Sequence, residues 1–348
     1  MHRLIIFLFF SITFSFADIK PTIAVLATGG TISATANSST SSIYKTGSLS
    51  GSQIIASIPE LKNIANINFK QIYNKDSSDL KLTDWLMLTN EVNKIASSPE
   101  INGIVIIHGT DSLSETAYFL HLAAKTKKPI ILVGAMRPAT SLSADGSLNL
   151  YNAVNVAANP ASFNRGVLVV MNDKIFSGRY VTKANTTTTN AFESPNIGPI
   201  GTVVLGKVSY NTKIIRPFTS DTPFYVTGVN NLPNVAIIYE YVGVDTTMLD
   251  AILNTNNLKG IIIAGFGNGN IPVYEKDFLI KAHNKGIIIV RSSRVSSGTV
   301  TYNYNNLDTT YDLITADDLN PEKARILLML SLLYTNDVKK IQEDFYKY

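Results

Sequence analysis

The sequence predicts an α/β fold. A larger N-terminal, mainly parallel sheet flanked by helices precedes a smaller C-terminal α/β domain. Two observations carry this prediction, and a third divides the chain. Short runs rich in Ile and Val recur at 22–27, 103–109, 129–135, 166–172, 234–240, 260–266 and 286–292. They are nearly continuous rather than alternating, the pattern of strands covered on both faces. Between them lie segments of helical periodicity: Thr83–Ser97, Ser114–Lys125, Ser147–Ala157, Thr247–Asn254 and Glu275–Asn284. Strands alternating with helices build a parallel sheet. The stretch 212–233 lacks periodicity, contains Pro217, Pro223 and Pro233, and reads as an interdomain linker.

The first segment, residues 1–17, reads as a secretory signal peptide. His2 and Arg3 make a short positive start, Leu4–Phe16 is almost wholly apolar, and Ser15-Phe16-Ala17 offers a cleavage site. The run is shorter than the roughly 20 residues of a membrane span, with an uncleaved anchor as the alternative. The expected location is the periplasm, with secretion also open, and no membrane association after cleavage. The N-terminal domain is then assigned to 18–211 and the C-terminal domain to 234–348. A late helix spans Glu322–Tyr334, with Asn320 as N-cap and Pro321 at its first position.

Composition narrows the chemistry. There is no Cys, so thiol nucleophiles, thiolate metal sites and disulfides are excluded. The net charge of +4 is weakly basic, and no Lys/Arg cluster with interleaved aromatics appears, which gives nucleic-acid binding little support. His108, His121 and His283 are far apart, with no metal-ligand spacing. The expectation is therefore no metal, with His108 and His121 structural.

Thr22-Ile-Ala-Val-Leu-Ala-Thr-Gly-Gly-Thr-Ile-Ser33 is the most informative stretch. An apolar run ends in the hydroxyl of Thr28, beside Gly29 and Gly30. A hydroxyl next to bare backbone N–H groups suits acyl transfer, with an oxyanion held by those donors. A plain Gly-Gly turn is the alternative. His108-Gly-Thr-Asp111 likewise follows an apolar run. Ser33–Gly47 is small, polar and long, and reads as a mobile lid beside Thr28. Gly265-Phe-Gly-Asn-Gly-Asn270 lacks the Gly-x-Gly-x-x-Gly spacing of a dinucleotide loop.

Further segments complete a constellation. They are Ser77-Ser-Asp79, Gly134-Ala-Met-Arg-Pro138, Val170-Met-Asn-Asp173, Gly178–Thr186, Ala264–Asn270, Arg291-Ser-Ser-Arg-Val295 and Leu319–Arg325. In this order, with the two threonine motifs, the chain resembles the bacterial type II L-asparaginases over nearly its whole mature length. The resemblance implies hydrolysis of L-asparagine to L-aspartate and ammonia without a cofactor. It implies that Thr28 is the nucleophile forming an acyl-enzyme and that Tyr44, in the lid, helps activate it. Thr110, Asp111 and Lys183 match a second triad that activates threonine or water. Ser77 and Asp111 match the positions that hold the α-carboxylate and α-ammonium of the substrate, and Gly29 and Ser78 count among the substrate-binding positions. Ala135 matches a position whose carbonyl meets the leaving amide. Asn270 matches a residue that reaches a neighbouring subunit's site, in a homotetramer built from intimate dimers.

Lys183 acts as a base only when its amine is neutral, which burial favours and a nearby carboxylate opposes. Anchoring of its loop by an ion pair with Asp111 is the alternative. For Asp111 and Ser77 the plain alternatives are helix-cap or turn roles. Two positions depart from the family. Ser78 stands where well-known members carry Gln or Glu, and Asn305 where some carry Glu from the partner subunit. Both changes remove side chains that hold a positive α-amino group, so weak ground-state affinity is expected. The smaller Ser78 also leaves room for glutamine, making a dual glutaminase-asparaginase the first alternative. A non-catalytic periplasmic amino-acid-binding protein is the second, although a binder needs neither threonine nor Lys183.

Overall fold

Alternate residues of each central strand face opposite layers, and both layers are apolar. Ile23, Val25, Val105, Ile107, Ile131 and Val133 pack one way, against Ile54, Leu61, Leu150 and Val154. Ala24, Leu26, Ile104, Ile106 and Leu132 pack the other way, against Leu88, Val92, Leu113 and Leu120. Burying each such side chain contributes about 1.5–3 kcal/mol. The computed structural model describes residues 20–41, 43–45 and 47–348, without the Tyr44 side chain. The signal-peptide reading of residues 1–17 lies outside the described residues.

The large sheet has eight strands, in the order Lys207–Tyr210, Gly201–Val204, Lys174–Ser177, Val167–Met171, Ile130–Val133, Gly103–Ile107, Thr22–Ala27, Asn66–Gln71. The last five of that order run parallel and the first three antiparallel. Helices Gly51–Ala56, Leu61–Ile64 and Gly146–Ala158 cover one face, and Leu82–Ala96 and Leu113–Ala123 the other. From Thr22–Ala27 the chain crosses to the edge strand Asn66–Gln71, whereas from Gly103–Ile107 it crosses the opposite way, to Ile130–Val133. That reversal opens a crevice at the C-terminal ends of the two neighbouring strands.

The smaller sheet orders Asn234–Tyr239, Leu258–Gly265, Ile288–Ser293 and Ile314–Thr315, all parallel. Helices Pro321–Ser331 and Val338–Lys347 close one face. Asn320 caps the first of these, its Oδ1 accepting from the Lys323 N–H at 3.1 Å, with Pro321 following. The core under these helices also takes in Trp85, Tyr118, Phe119 and Leu122 from the large-sheet side. Trp85 stacks on Phe119 with centroids 5.1 Å apart and donates from Nε1 to Thr116 Oγ1 at 2.9 Å. The two sheets are thus joined by an apolar seam. Over 212–233 the chain forms no strand or α-helix, only the single 3₁₀ turn Thr219–Asp221. The stretch is nevertheless packed: Phe218, Phe224, Val226 and Leu232 are buried. Lys125 Nζ donates to the Thr219 and Thr222 carbonyls at 3.1 and 2.9 Å.

Candidate active site

Thr28 stands at the crevice, one residue past its strand and 2 % exposed. Its N–H and its Oγ1 both donate to the Ile107 carbonyl, at 3.0 and 2.8 Å, which ties it to the adjacent strand. Gly29 and Gly30 follow with φ of +113° and +89°. A Cβ on Gly29 would lie 2.4 Å from the Lys75 carbonyl oxygen, and one on Gly30 2.3 Å from Gly109 Cα. Only glycine lets the chain pass between these two backbones.

Thr110, 5 % exposed, stands beyond the neighbouring strand end. Lys183 arrives from the two-residue strand Thr182–Lys183, paired with Phe192–Glu193. Its Nζ donates to Thr110 Oγ1 at 3.0 Å and to Asp111 Oδ1 at 2.6 Å. The structure therefore brings Thr110, Asp111 and Lys183 together, from segments some seventy positions apart. Asp111 is not a helix cap: its carboxylate is 65 % exposed and bound to Lys183, and Ser112 is the N-cap of Leu113–Ala123.

Ser77 is buried, and its Oγ accepts from the Asp111 N–H at 3.1 Å. Ser112 Oγ donates back to the Ser77 carbonyl at 2.6 Å. Ser77, Ser78, Asp111 and Ser112 line a cavity of about 360 Å³ that also meets Glu115 and Arg325. Thr28 and Lys183 lie outside that lining. Ala135 is 1 % exposed. Asp145 fixes the backbone after it by accepting from the Met136 and Arg137 N–H groups, each at 3.0 Å. Asn149 Nδ2 donates to the Gly134 carbonyl on the other side at 3.1 Å.

The Ser33–Gly47 segment contains a short antiparallel ladder, Thr35–Ala36 against Tyr44–Lys45. It touches the turn after Pro138, where the Ala139 and Leu142 N–H groups donate to the Ala34 and Ser39 carbonyls, at 3.0 and 3.1 Å. The Tyr44 side chain, expected to act here, lies outside the described residues. Asn270 sits in the other sheet's loop, where its backbone exchanges hydrogen bonds with Phe266 at 2.7 and 3.0 Å. Arg291 anchors that loop from below. Fully buried, it forks Asp308 at 2.7 Å twice and donates to the Asn268 carbonyl at 2.9 Å. Asn305, three residues before Asp308 in the chain, has φ +55°.

Several contributors were not singled out in the sequence. Asp145 and Asn149 stand one helical turn apart, a spacing too common to signal a site. Glu240 and Glu275 are 0 % and 1 % exposed and face each other beside the Asn270 loop. Burial, and then the charge of Glu240, push Glu275 up to about 8. His108 and His121 are fully buried, and burial holds them down to about 4 and about 3. His121 Nδ1 accepts from the Val167 N–H at 3.2 Å. Among the described residues no group of three or more His, Asp or Glu is placed to hold a metal ion.

Two family models match: "Asparaginase, N-terminal" over residues 22–216 and "Glutaminase/Asparaginase C-terminal domain" over 234–345. The chain belongs to the asparaginase family. It is an asparaginase-type hydrolase with relatives named L-asparaginase 2. One of these, from Escherichia coli (strain K12), is 45 % identical, covering 94 % of this chain and 93 % of the relative. A probable periplasmic L-asparaginase of Haemophilus influenzae (strain ATCC 51907 / DSM 11121 / KW20 / Rd) is 47 % identical, covering 93 % and 92 %. The crystal structure of a probable cytoplasmic L-asparaginase from Campylobacter jejuni matches the fold of this family member with a TM-score of 0.91. It is 43 % identical and covers 94 % of this chain and 100 % of that one.

Proposed function

We propose that this family member hydrolyses the side-chain amide of L-asparagine to L-aspartate and ammonia through a threonine acyl-enzyme. One observation carries the reading: Lys183 Nζ bridges Thr110 and Asp111 at the strand end next to buried Thr28. Thr28 Oγ1 attacks the amide carbon, its proton leaves with the departing ammonia, and the oxyanion is met by N–H groups at the Gly29 turn. Tyr44 assists the first proton transfer. Thr110, Lys183 and Asp111 then orient and deprotonate the water that releases aspartate. Ser77 and Asp111 hold the α-carboxylate and α-ammonium, the Ala135 carbonyl meets the leaving amide, and Asn270 completes a partner's site in a homotetramer.

Export to the periplasm is part of the reading. It is supported by residues 1–17 and by the name of the Haemophilus relative. The name of the Campylobacter protein points to the cytoplasm. N-terminal sequencing of the protein from a periplasmic fraction decides between a start at Asp18 and an unprocessed chain.

Ammonia release from L-asparagine and L-glutamine, measured side by side with Thr28→Ala as control, tests the activity. Asparagine turnover lost in the variant is expected. Comparable glutamine turnover would favour a dual glutaminase-asparaginase, consistent with the small Ser78. No turnover of either by a folded protein would overturn the proposal. Near-normal turnover by Lys183→Met would remove Lys183 from the mechanism.

A further inference from the structure

The motif Leu319–Arg325 has no part in the chemistry above, yet one of its side chains reaches toward it. Lys323 stands in the first turn of helix Pro321–Ser331, on the C-terminal side of the seam. It is 3 % exposed. Its Nζ crosses the seam and donates to two backbone carbonyls, those of Arg179 and Val181, each at 2.6 Å. Val181 is two residues before Lys183.

Other groups complete the junction. The ring of Tyr118 closes over the amine, its centroid 5.8 Å from Nζ. Arg179 turns its own guanidinium to the same helix entrance, forking Asp318 at 2.7 and 3.1 Å. Burial, reinforced by the Arg179 charge, brings Lys323 down to about 7, while Glu322 and Asp318 act the other way.

Stripping a lysine of water is costly unless its donors are used, and here they hold one short segment. That segment needs holding. Thr182–Lys183 pairs with only two residues, too little for a strand to keep its own place. Lys183 must nevertheless keep Nζ at hydrogen-bond distance from both Thr110 and Asp111.

We propose that Lys323 is a positioning residue for amide hydrolysis: its bonds to the Arg179 and Val181 carbonyls hold the Lys183 amine at Thr110 and Asp111. The inference rests on the role given to Lys183 above. Lys323 does not line the Ser77–Asp111 cavity, so its loss should act on the chemical step rather than on substrate capture.

The experiment compares Lys323→Met and Lys323→Gln with the unmodified protein by kcat and KM for L-asparagine, the pH profile of kcat, and thermal midpoint. For folded Lys323→Met, kcat should fall roughly 10- to 100-fold, the scale of an ångström of misplacement. KM should stay within about threefold, as expected when transition-state rather than ground-state contacts are lost. Lys323→Gln keeps an N–H donor and should fall between the two. On a Lys183→Met background, adding Lys323→Met should lower the residual rate by less than about twofold, because the positioned group is already gone.

A folded variant with unchanged kcat, a loss confined to KM, or an undiminished loss on the Lys183→Met background overturns the proposal. Failure of both Lys323 variants to fold also overturns it, making Lys323 a folding residue. Normal turnover by Lys183→Met alone is a separate result, which removes the underlying mechanism instead.

Discussion

Ser78 lines the cavity with Ser77 and Asp111, and on the substrate placement proposed above it offers the α-ammonium only a short hydroxyl. A hydrogen bond to a charged group contributes about 1.5–3 kcal/mol. Ser78→Gln should therefore lower KM for asparagine by about tenfold or more, read from initial rates. A low-micromolar KM in the unmodified enzyme would contradict this account of the site. At Gly30 the constraint is steric: with φ +89° and Gly109 Cα 2.3 Å from an added Cβ, alanine cannot be seated without displacing a strand end. Gly30→Ala should cost at least about 1–3 kcal/mol of stability and most of the turnover, measured by denaturant unfolding and ammonia release.

At the level of elements, the Glu240–Glu275 pair couples the end of strand Asn234–Tyr239 to the turn Val273–Glu275 before helix Lys276–Asn284. Arg294 is the cation nearby, and its guanidinium donates to the Glu240 carbonyl at 3.1 Å. Glu275 titrates at about 8 in the fold against an ordinary 4.5, so the folded state binds the extra proton between those values. The stabilisation is complete below 4.5 and is lost as pH rises through about 8. Glu275→Gln should flatten that decline and raise the thermal midpoint at pH 9. An unchanged pH slope would show that the pair carries no such coupling.

The two sorts of element were unequally legible in the sequence. Strands such as Gly103–Ile107 were readable because both faces are buried and every residue is apolar. Asn66–Gln71 and Lys207–Tyr210 lie at the sheet edges, are largely solvated, and carry no such run. The C-terminal helix Val338–Lys347 also falls outside the segments of helical periodicity, although its amphipathic face buries Ile341 and Phe345. In the candidate site, the positions of Thr28 and Thr110 at strand ends were readable because both follow apolar runs. Lys323 beside Val181, or Glu240 beside Glu275, depends on chain crossings that no local pattern encodes.

For the whole molecule, the proposed sharing of Asn270 between subunits has a direct consequence. Thr28→Ala and Asn270→Ala proteins, denatured together and refolded, should recover activity that neither has alone, because some sites then combine intact halves. No gain over the separate proteins would mean that each chain builds its own site. Beneath the Asn270 loop, removing one partner of the fully buried Arg291–Asp308 pair leaves an uncompensated charge. Asp308→Ala should cost about 3–5 kcal/mol, seen in urea unfolding. The seam between the sheets has a different use. Trp85 is the only tryptophan in the chain. It is packed in that seam against Phe119 and also lines the Ser77–Asp111 cavity. The protein therefore carries a built-in optical probe: its intrinsic fluorescence reports, without any label, on the joint between the sheets and on the filling of the neighbouring cavity.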